Sequence, residues 1–101
     1  IDKNDNLYVN EIAPRVHNSG HLTLNAYNIS QFENHIRAVC GLEKIKIERQ
    51  YDAKMINLIG NQINEYRGKK LNENEFFYDY LKKEIKEKRK MGHLTILNKK
   101  D

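Results

Sequence analysis

The chain has 101 residues, of which 32% are charged and 39% are hydrophobic, and its formal net charge is +4. This length allows one small domain, and the hydrophobic fraction is too high for a disordered chain. No stretch approaches the roughly 20 apolar residues of a membrane span, and residues 1–6 show no apolar signal-peptide core. We therefore expect a cytoplasmic protein without membrane contact. The sequence does not start with Met, so we expect that the chain begins inside something longer or was trimmed.

The first part of the chain predicts a short strand followed by a polar loop. Alternating residues over 7–12 are typical of a strand, and Pro14 ends it because proline lacks an amide donor. Residues 13–21 form a loop that is dense in functional groups.

Residues 31–40 predict a helix. Ser30 is a favourable N-cap, Glu33 completes a capping box, and Gly41 is placed to stop the helix. One apolar face follows from helical spacing, and it consists of Phe32, Ile36, Val39 and Cys40. Cys40 is the only cysteine, so no internal disulfide is possible, and we expect it to pack in this face instead of acting as a nucleophile.

The second half of the chain predicts a small sheet. Residues 44–49 alternate like a strand, 53–59 predict a buried strand that ends at a glycine, and 91–97 predict a final strand. Residues 61–75 are polar and predict surface structure with helical stretches, whereas 76–85 fit either a helix or a strand. Together the elements predict an α+β unit with an antiparallel sheet.

Four blocks of sequence occur in the order found in one enzyme family. They are residues 9–21 (VNEIAPRVHNSGH), 30–42, 57–60 and 89–93. The chain resembles the 5-(carboxyamino)imidazole ribonucleotide synthetases, which belong to the ATP-grasp superfamily. The resemblance is specific because it rests on four ordered blocks instead of a single short motif.

The resemblance implies a fold, a division of the chain and an activity. Residues 1–29 are expected to be the end of an ATP-grasp domain, and 30–101 a small C-terminal α+β domain. The family carboxylates aminoimidazole ribonucleotide with ATP and bicarbonate in purine biosynthesis, as an ATP-dependent carbon–nitrogen ligase. The partner of this piece is then the N-terminal part of the same enzyme, without which it should be inactive, and a homodimer stays open.

The resemblance also implies a nucleotide and metal site. Glu11 matches a magnesium-binding carboxylate of the family, in keeping with the preference of Mg²⁺ for hard oxygen ligands. Asn10 matches an ATP-site residue. The family's other metal-binding glutamate falls before Ile1, so the chain is expected to carry half of the site.

The loop after Glu11 supplies candidate catalytic groups. The Arg15 guanidinium can hold carbonate or phosphate oxygens in bidentate fashion, and His17 can donate a hydrogen bond or shuttle a proton. Asn18 and Ser19 offer small donors suited to binding an anionic substrate. We expect the loop from Glu11 to His21 to be solvent-exposed or disordered in the isolated chain, because its usual ligands and neighbours are absent.

Two basic residues near the C-terminus complete the predicted site. Arg89 matches a residue that binds the phosphate of the ribonucleotide, and its partner lysine falls on Lys82. Leu81 replaces a glycine that is common before this lysine, so Lys83 remains the alternative.

Two other interpretations of the polar residues are weaker. The basic run 82–90 favours a nucleic-acid-binding or interaction module on charge alone, but two glutamates interrupt it, and we expect no nucleic acid to bind. His17 and His21 have zinc-like spacing, but no further ligands complete a tetrahedral set.

Overall fold

A computed structural model describes residues 1–99, which form a three-stranded antiparallel sheet with two α-helices and two 3₁₀ helices. This arrangement confirms the predicted α+β class. In chain order the elements are a 3₁₀ helix Asn18–Gly20, α1 (Thr23–Ala26), α2 (Gln31–Val39), β1 (Tyr51–Ile59), a 3₁₀ helix Gly60–Glu65, β2 (Glu75–Asp79) and β3 (Lys90–Lys99). No helix in this described part is long and apolar enough to cross a membrane.

The last strand of the chain is the centre of the sheet. β3 pairs antiparallel with β1 on one side and with β2 on the other, and His93 lies opposite both Asn57 and Tyr78. The strands predicted at 53–59 and 91–97 are confirmed, but within 53–59 only Leu58 is fully buried. The ambiguous stretch 76–85 is a strand only in its first part, where the free edge of β3 provides a partner.

One face of the sheet carries the hydrophobic core. Leu58, Ile63 and Met91 are buried together, and half-buried Tyr66 and Phe77 pack against them. The 3₁₀ helix Gly60–Glu65 brings Ile63 over the sheet directly after β1.

The opposite face of the sheet carries polar residues and is covered by α1. His93 and Thr95 are buried there, and Ala26 of α1 is buried too. Asn25 of α1 accepts a hydrogen bond of 2.7 Å from the hydroxyl of Tyr78 on β2. This packing joins the start of the chain to the sheet.

Helix α2 is capped at both ends as its sequence predicts. The Ser30 hydroxyl accepts a hydrogen bond of 3.1 Å from the amide of Glu33. The Glu33 carboxylate pairs with Arg37 at 2.9 Å instead of accepting from the Ser30 amide, so the prediction that Glu33 completes a capping box is wrong. At the C-terminus, Gly41 has φ +66° and the amide of Leu42 donates to the carbonyl of Arg37 at 2.8 Å, which is the Schellman arrangement.

The apolar face of α2 does not pack as predicted. Ile36 and Val39 are 58% and 72% exposed, and Cys40 is exposed as well, so the expectation of a packed thiol is wrong. The reason is that α2 is held at its N-terminus, where Gln31 bonds to the 13–21 loop and Phe32 packs on the His21 ring, whereas Ile36 and Val39 further along the helix face solvent.

The strand predicted at 7–12 is absent. These residues have no regular secondary structure, and Leu7, Val9 and Ile12 are almost fully exposed. A strand needs a neighbour to receive its backbone hydrogen bonds, and none of the described strands runs beside this segment.

The strand predicted at 44–49 is reduced to a single bridge between Arg49 and Tyr27. Backbone hydrogen bonds flank this bridge, from the amide of Asn28 to the carbonyl of Glu48 and from Gln50 to Ala26. Residues 44–49 run beside the stretch that follows α1. That stretch is too short to pair with more of them.

Candidate functional site

The loop that carries most of the predicted site residues is exposed, as expected. Glu11, Arg15 and His17 all face solvent, and Asn10 is exposed beside Glu11. The structure brings Glu11, His17 and Ser19 together around an open cavity of about 290 Å³. Arg15 lies in a neighbouring groove along α2.

The ring of His17 is held by the 3₁₀ helix that it caps. Its Nδ1 accepts a hydrogen bond of 3.2 Å from the amide of Ser19 and lies 2.9 Å from the Ser19 hydroxyl oxygen. The next turn closes where the His21 amide donates to the Asn18 carbonyl at 3.1 Å. Because Nδ1 is an acceptor, the proton of the neutral His17 ring is on Nε2.

The side chain of Gln31, the first residue of α2, holds this loop through three hydrogen bonds, which together are called the Gln31 clamp. Its Oε1 accepts from the amide of His17 at 3.0 Å, and its Nε2 lies 2.7 Å from the carbonyl oxygen of His17 and 2.8 Å from Nδ1 of His21. Thr23 adds a second link, because its hydroxyl donates to the Gly20 carbonyl and accepts from the Gln31 amide. A Cβ atom on Gly20 would collide with the Gln31 side chain.

A cluster of rings joins this loop to the sheet. The centroid of the His21 ring lies 5.3 Å from that of Phe32 and 5.5 Å from that of His93. On its other side His93 packs against Tyr78 at 4.7 Å, and the hydroxyl of Tyr80 is 2.7 Å from His93 Nδ1. Residues of β2, β3 and the 13–21 loop therefore meet at one point.

Burial sets the charge state of this cluster. Loss of water around His93 lowers its pKa to about 4, and the neighbouring His21 adds to the effect. The pKa of His21 is lowered by burial and then by the charges of Lys90 and His17, whereas burial raises the pKa of Tyr80. His93 is therefore neutral at pH 7.

The second predicted part of the site is the loop between β2 and β3. The Lys82 ammonium donates to the Lys90 carbonyl at 2.6 Å and lies 5.7 Å from the centre of the Tyr80 ring. The Arg89 guanidinium donates to the Glu84 carbonyl at 3.4 Å. Tyr80 touches both Lys82 and the buried ring cluster, which links this loop to the one that carries His17.

The residues present do not make a complete magnesium site. Glu11 is the carboxylate at the 290 Å³ cavity, and a carboxylate is a suitable ligand. However, no three His, Cys, Asp or Glu side chains in the described residues are grouped so that they could hold a metal ion. Within the described residues, Glu11 would therefore be a single ligand of such an ion.

Three residues that shape this region were not predicted as site residues from the sequence, namely Gln31, Tyr80 and His93. Gln31 and His93 lie inside the matched blocks 30–42 and 89–93, so a signal was present. The pattern did not show which partners they contact, because those contacts join segments far apart in the sequence.

Comparison with known proteins places the chain in a class. Residues 2–32 match the ATP-grasp domain, and residues 53–101 match the phosphoribosylaminoimidazole carboxylase C-terminal domain. The chain therefore belongs to the ATP-grasp proteins that carry this C-terminal domain.

Individual relatives narrow the class to one family. The N5-carboxyaminoimidazole ribonucleotide synthase of Staphylococcus haemolyticus is 50% identical over 99 residues, which are 96% of this chain and 26% of the relative. The crystal structure of N5-carboxyaminoimidazole synthetase from Staphylococcus aureus complexed with ADP has a TM-score of 0.86 and 45% identity, covering 97% of this chain and 27% of that one. The enzyme from Aspergillus clavatus in complex with ADP and 5-aminoimidazole ribonucleotide has a TM-score of 0.73 and 33% identity, covering 83% and 24%.

The chain belongs to the N5-carboxyaminoimidazole ribonucleotide synthase family, which confirms the resemblance found in its sequence. It spans about a quarter of the length of the curated relatives it matches.

Proposed function

We propose that this chain supplies one side of the active site of a cytoplasmic ATP-dependent ligase that carboxylates aminoimidazole ribonucleotide with bicarbonate. The observation that carries the proposal is the exposed group of Glu11, His17 and Ser19 around one cavity. The loop that carries this group is fastened to α2 by Gln31 and to the sheet by the packing of His21 on His93. Relatives described as complexes with ADP and with 5-aminoimidazole ribonucleotide support the two substrates.

The proposal divides the chain between two domains. Residues 1–29 end the ATP-grasp domain, and residues 30–101 form the small C-terminal domain. Asn10 and Glu11 contact the nucleotide side, where Glu11 is one of the ligands of Mg²⁺ and the other carboxylate lies outside this chain. The isolated chain lacks the rest of the nucleotide pocket and is inactive.

The loop residues act on the carboxyl group in transfer. In the proposed reaction, bicarbonate takes the γ-phosphoryl group of ATP to give carboxyphosphate and ADP. The amine of the ribonucleotide then attacks the carboxyl carbon and phosphate leaves. Arg15 holds the anionic oxygens, and His17, with its proton on Nε2, hydrogen-bonds to the group or moves a proton.

The substrate is held at both ends of the site. Asn18 and Ser19 bind the ribonucleotide near the reacting amine, and Lys82 and Arg89 bind its phosphate. The hydrogen bond from the Lys82 ammonium to the carbonyl of Lys90 holds this ammonium close to the residue that follows Arg89.

The test uses the full reading frame that contains this sequence. Phosphate release is measured with ATP, bicarbonate and aminoimidazole ribonucleotide, and each substrate is omitted in turn. We expect release that needs both ATP and the ribonucleotide, and a loss of about 100-fold or more in kcat for Arg15→Ala, the scale of removing one charge-stabilising donor. Arg37→Ala is the matched control, because this arginine pairs with Glu33 on the exposed surface of α2.

Two results would contradict the proposal. Phosphate release by the full protein that does not depend on the ribonucleotide would exclude the ligase function. A full rate in Arg15→Ala, equal to that of Arg37→Ala, would remove Arg15 from the site.

A further inference from the structure

We propose that Gln31 is a positioning residue, whose side-chain amide fixes the backbone of His17 and the tautomer of His21. Its effect on turnover rests on the proposed function, whereas its effect on the two histidines rests on the contacts alone. Gln31 acts through the loop that its side chain holds.

Both ends of the Gln31 amide are occupied by the same peptide segment. Oε1 accepts from the His17 amide, and Nε2 donates to the His17 carbonyl. The side chain therefore pairs with His17 as a neighbouring strand would, and it holds this residue in the extended conformation, with φ −135° and ψ 149°.

The orientation of the amide group follows from its partners. A flipped amide would place its oxygen against the His17 carbonyl and its NH₂ group against the His17 N–H, which are two repulsive contacts. Nε2 is therefore the atom that faces His21, and it must donate, so Nδ1 of His21 is the acceptor. The proton of the neutral His21 ring is then on Nε2.

The backbone of Gln31 is itself held in place by its neighbours. Gln31 follows the Ser30 cap at the start of α2, and the backbone N–H of Gln31 donates to the Thr23 hydroxyl at 2.9 Å. Gly20 leaves the room that the side chain occupies, because any larger residue there would collide with it. The clamp is thus part of the fold and positions the His17 ring beside the cavity shared with Glu11.

Two substitutions at Gln31 distinguish the effect of its side-chain hydrogen bonds from the effect of its volume. Gln31→Glu keeps the size of the side chain, but a carboxylate repels the His17 carbonyl and accepts from His21 only if Nδ1 carries a proton. Gln31→Leu has a similar volume and removes all three side-chain hydrogen bonds. Gln50→Glu makes the same charge change at an exposed glutamine.

The experiment uses the full-length protein and two readouts. Steady-state kinetics give kcat and KM for ATP and for aminoimidazole ribonucleotide, and ¹⁵N NMR of the histidine rings gives their tautomers. We expect kcat to fall by about 10- to 100-fold in Gln31→Glu and Gln31→Leu with little change in either KM, as a misplaced catalytic group does. We also expect Nδ1 of His21 to become protonated at neutral pH in Gln31→Glu, and Gln50→Glu to match the unsubstituted protein in both readouts.

The outcomes distinguish this inference from the proposed function. If the unsubstituted protein shows no ribonucleotide-dependent activity, the proposed function fails, and the NMR spectra alone decide whether Gln31 sets the His21 tautomer. If activity is present but both Gln31 variants keep the kcat of Gln50→Glu, the positioning role is overturned. An unchanged His21 tautomer in Gln31→Glu would contradict the proposal that the Gln31 side chain sets this tautomer.

Discussion

The hydroxyl oxygen of Tyr80 lies 2.7 Å from Nδ1 of His93, whose side chain is only 1% exposed. This contact satisfies one nitrogen of the buried ring, and the other, Nε2, has no hydrogen-bond partner in the described residues. The Oδ1 atom of Asn57, directly opposite on β1, is likewise without a partner there. The Tyr80 hydroxyl is thus important to the stability of the polar face of the sheet.

Tyr80→Phe should destabilise the chain. The substitution removes the partner of a buried imidazole nitrogen, which costs about 1–3 kcal/mol in the free energy of unfolding. Tyr8→Phe is the matched control, because its hydroxyl makes one exposed contact of 3.3 Å with Asp2, and we expect a change below about 0.5 kcal/mol. Urea unfolding of the 101-residue chain measures both values, and equal midpoints for the two variants would contradict the importance of the Tyr80 bond.

Stability should fall as the pH drops from about 6.5 toward 4. The pKa of His93 is lowered from 6.5 to about 4 in the folded chain, so in this range the unfolded state binds more protons. The stabilisation is complete above pH 6.5 and is lost as the pH falls, by an amount on the order of 3 kcal/mol. The lowered pKa of His21 acts in the same direction, whereas that of Asp79 acts only below its ordinary value of 3.8.

The variant that tests this dependence is His93→Gln. Its free energy of unfolding should vary less between pH 6.5 and 4 than that of the unsubstituted chain, whatever its absolute stability. His35→Gln, at an exposed position on α2, should keep the full slope. An unchanged slope in His93→Gln would show that His93 does not control the acid sensitivity.

Gly60 and Gly68 both have a positive φ, +57° and +75°, but they differ in their surroundings. A Cβ atom on Gly68 meets open space, so Gly68→Ala should cost only the roughly 1–2 kcal/mol of a left-handed backbone. A Cβ atom on Gly60 would press on the backbone carbonyl of Glu87, which adds about 1–3 kcal/mol of overpacking. Thermal and urea unfolding should therefore rank Gly60→Ala as the less stable variant, and the reverse ranking would mean that the 80–89 loop moves away freely.

The sequence predicted those elements whose signals are local. Helix α2 has its cap at Ser30 and its stop at Gly41, and both work as predicted. The strands β1 and β3 have enough apolar residues to be recognised alone. Apolar and polar residues alternate equally well in the stretches 7–12 and 44–49. Alternation does not provide a partner strand, however, and neither stretch pairs along its length with another strand in the described residues.

The site shows the same limit. The block at 9–21 identified the loop and its exposed polar residues, and the structure brings Glu11 and His17 to one cavity. The clamp at Gln31 and the bond between Tyr80 and His93 depend on how separate segments pack, which a pattern along the chain does not encode. The roles of the individual site residues remain predictions for the full protein.

The choice between Lys82 and Lys83 as the phosphate ligand can be decided by paired substitutions. Lys82 is half-buried and held by the Lys90 carbonyl and the Tyr80 ring, whereas Lys83 is exposed. A preorganised ammonium loses less conformational freedom on binding an anion, so Lys82 is favoured. In the full-length protein we expect Lys82→Ala to raise the KM for aminoimidazole ribonucleotide by about 10-fold or more, the scale of a charged hydrogen bond, and to leave the KM for ATP nearly unchanged. Lys83→Ala should have the smaller effect, and a larger rise in KM for Lys83→Ala would move the phosphate contact to that residue and show that the β2–β3 loop rearranges around the substrate.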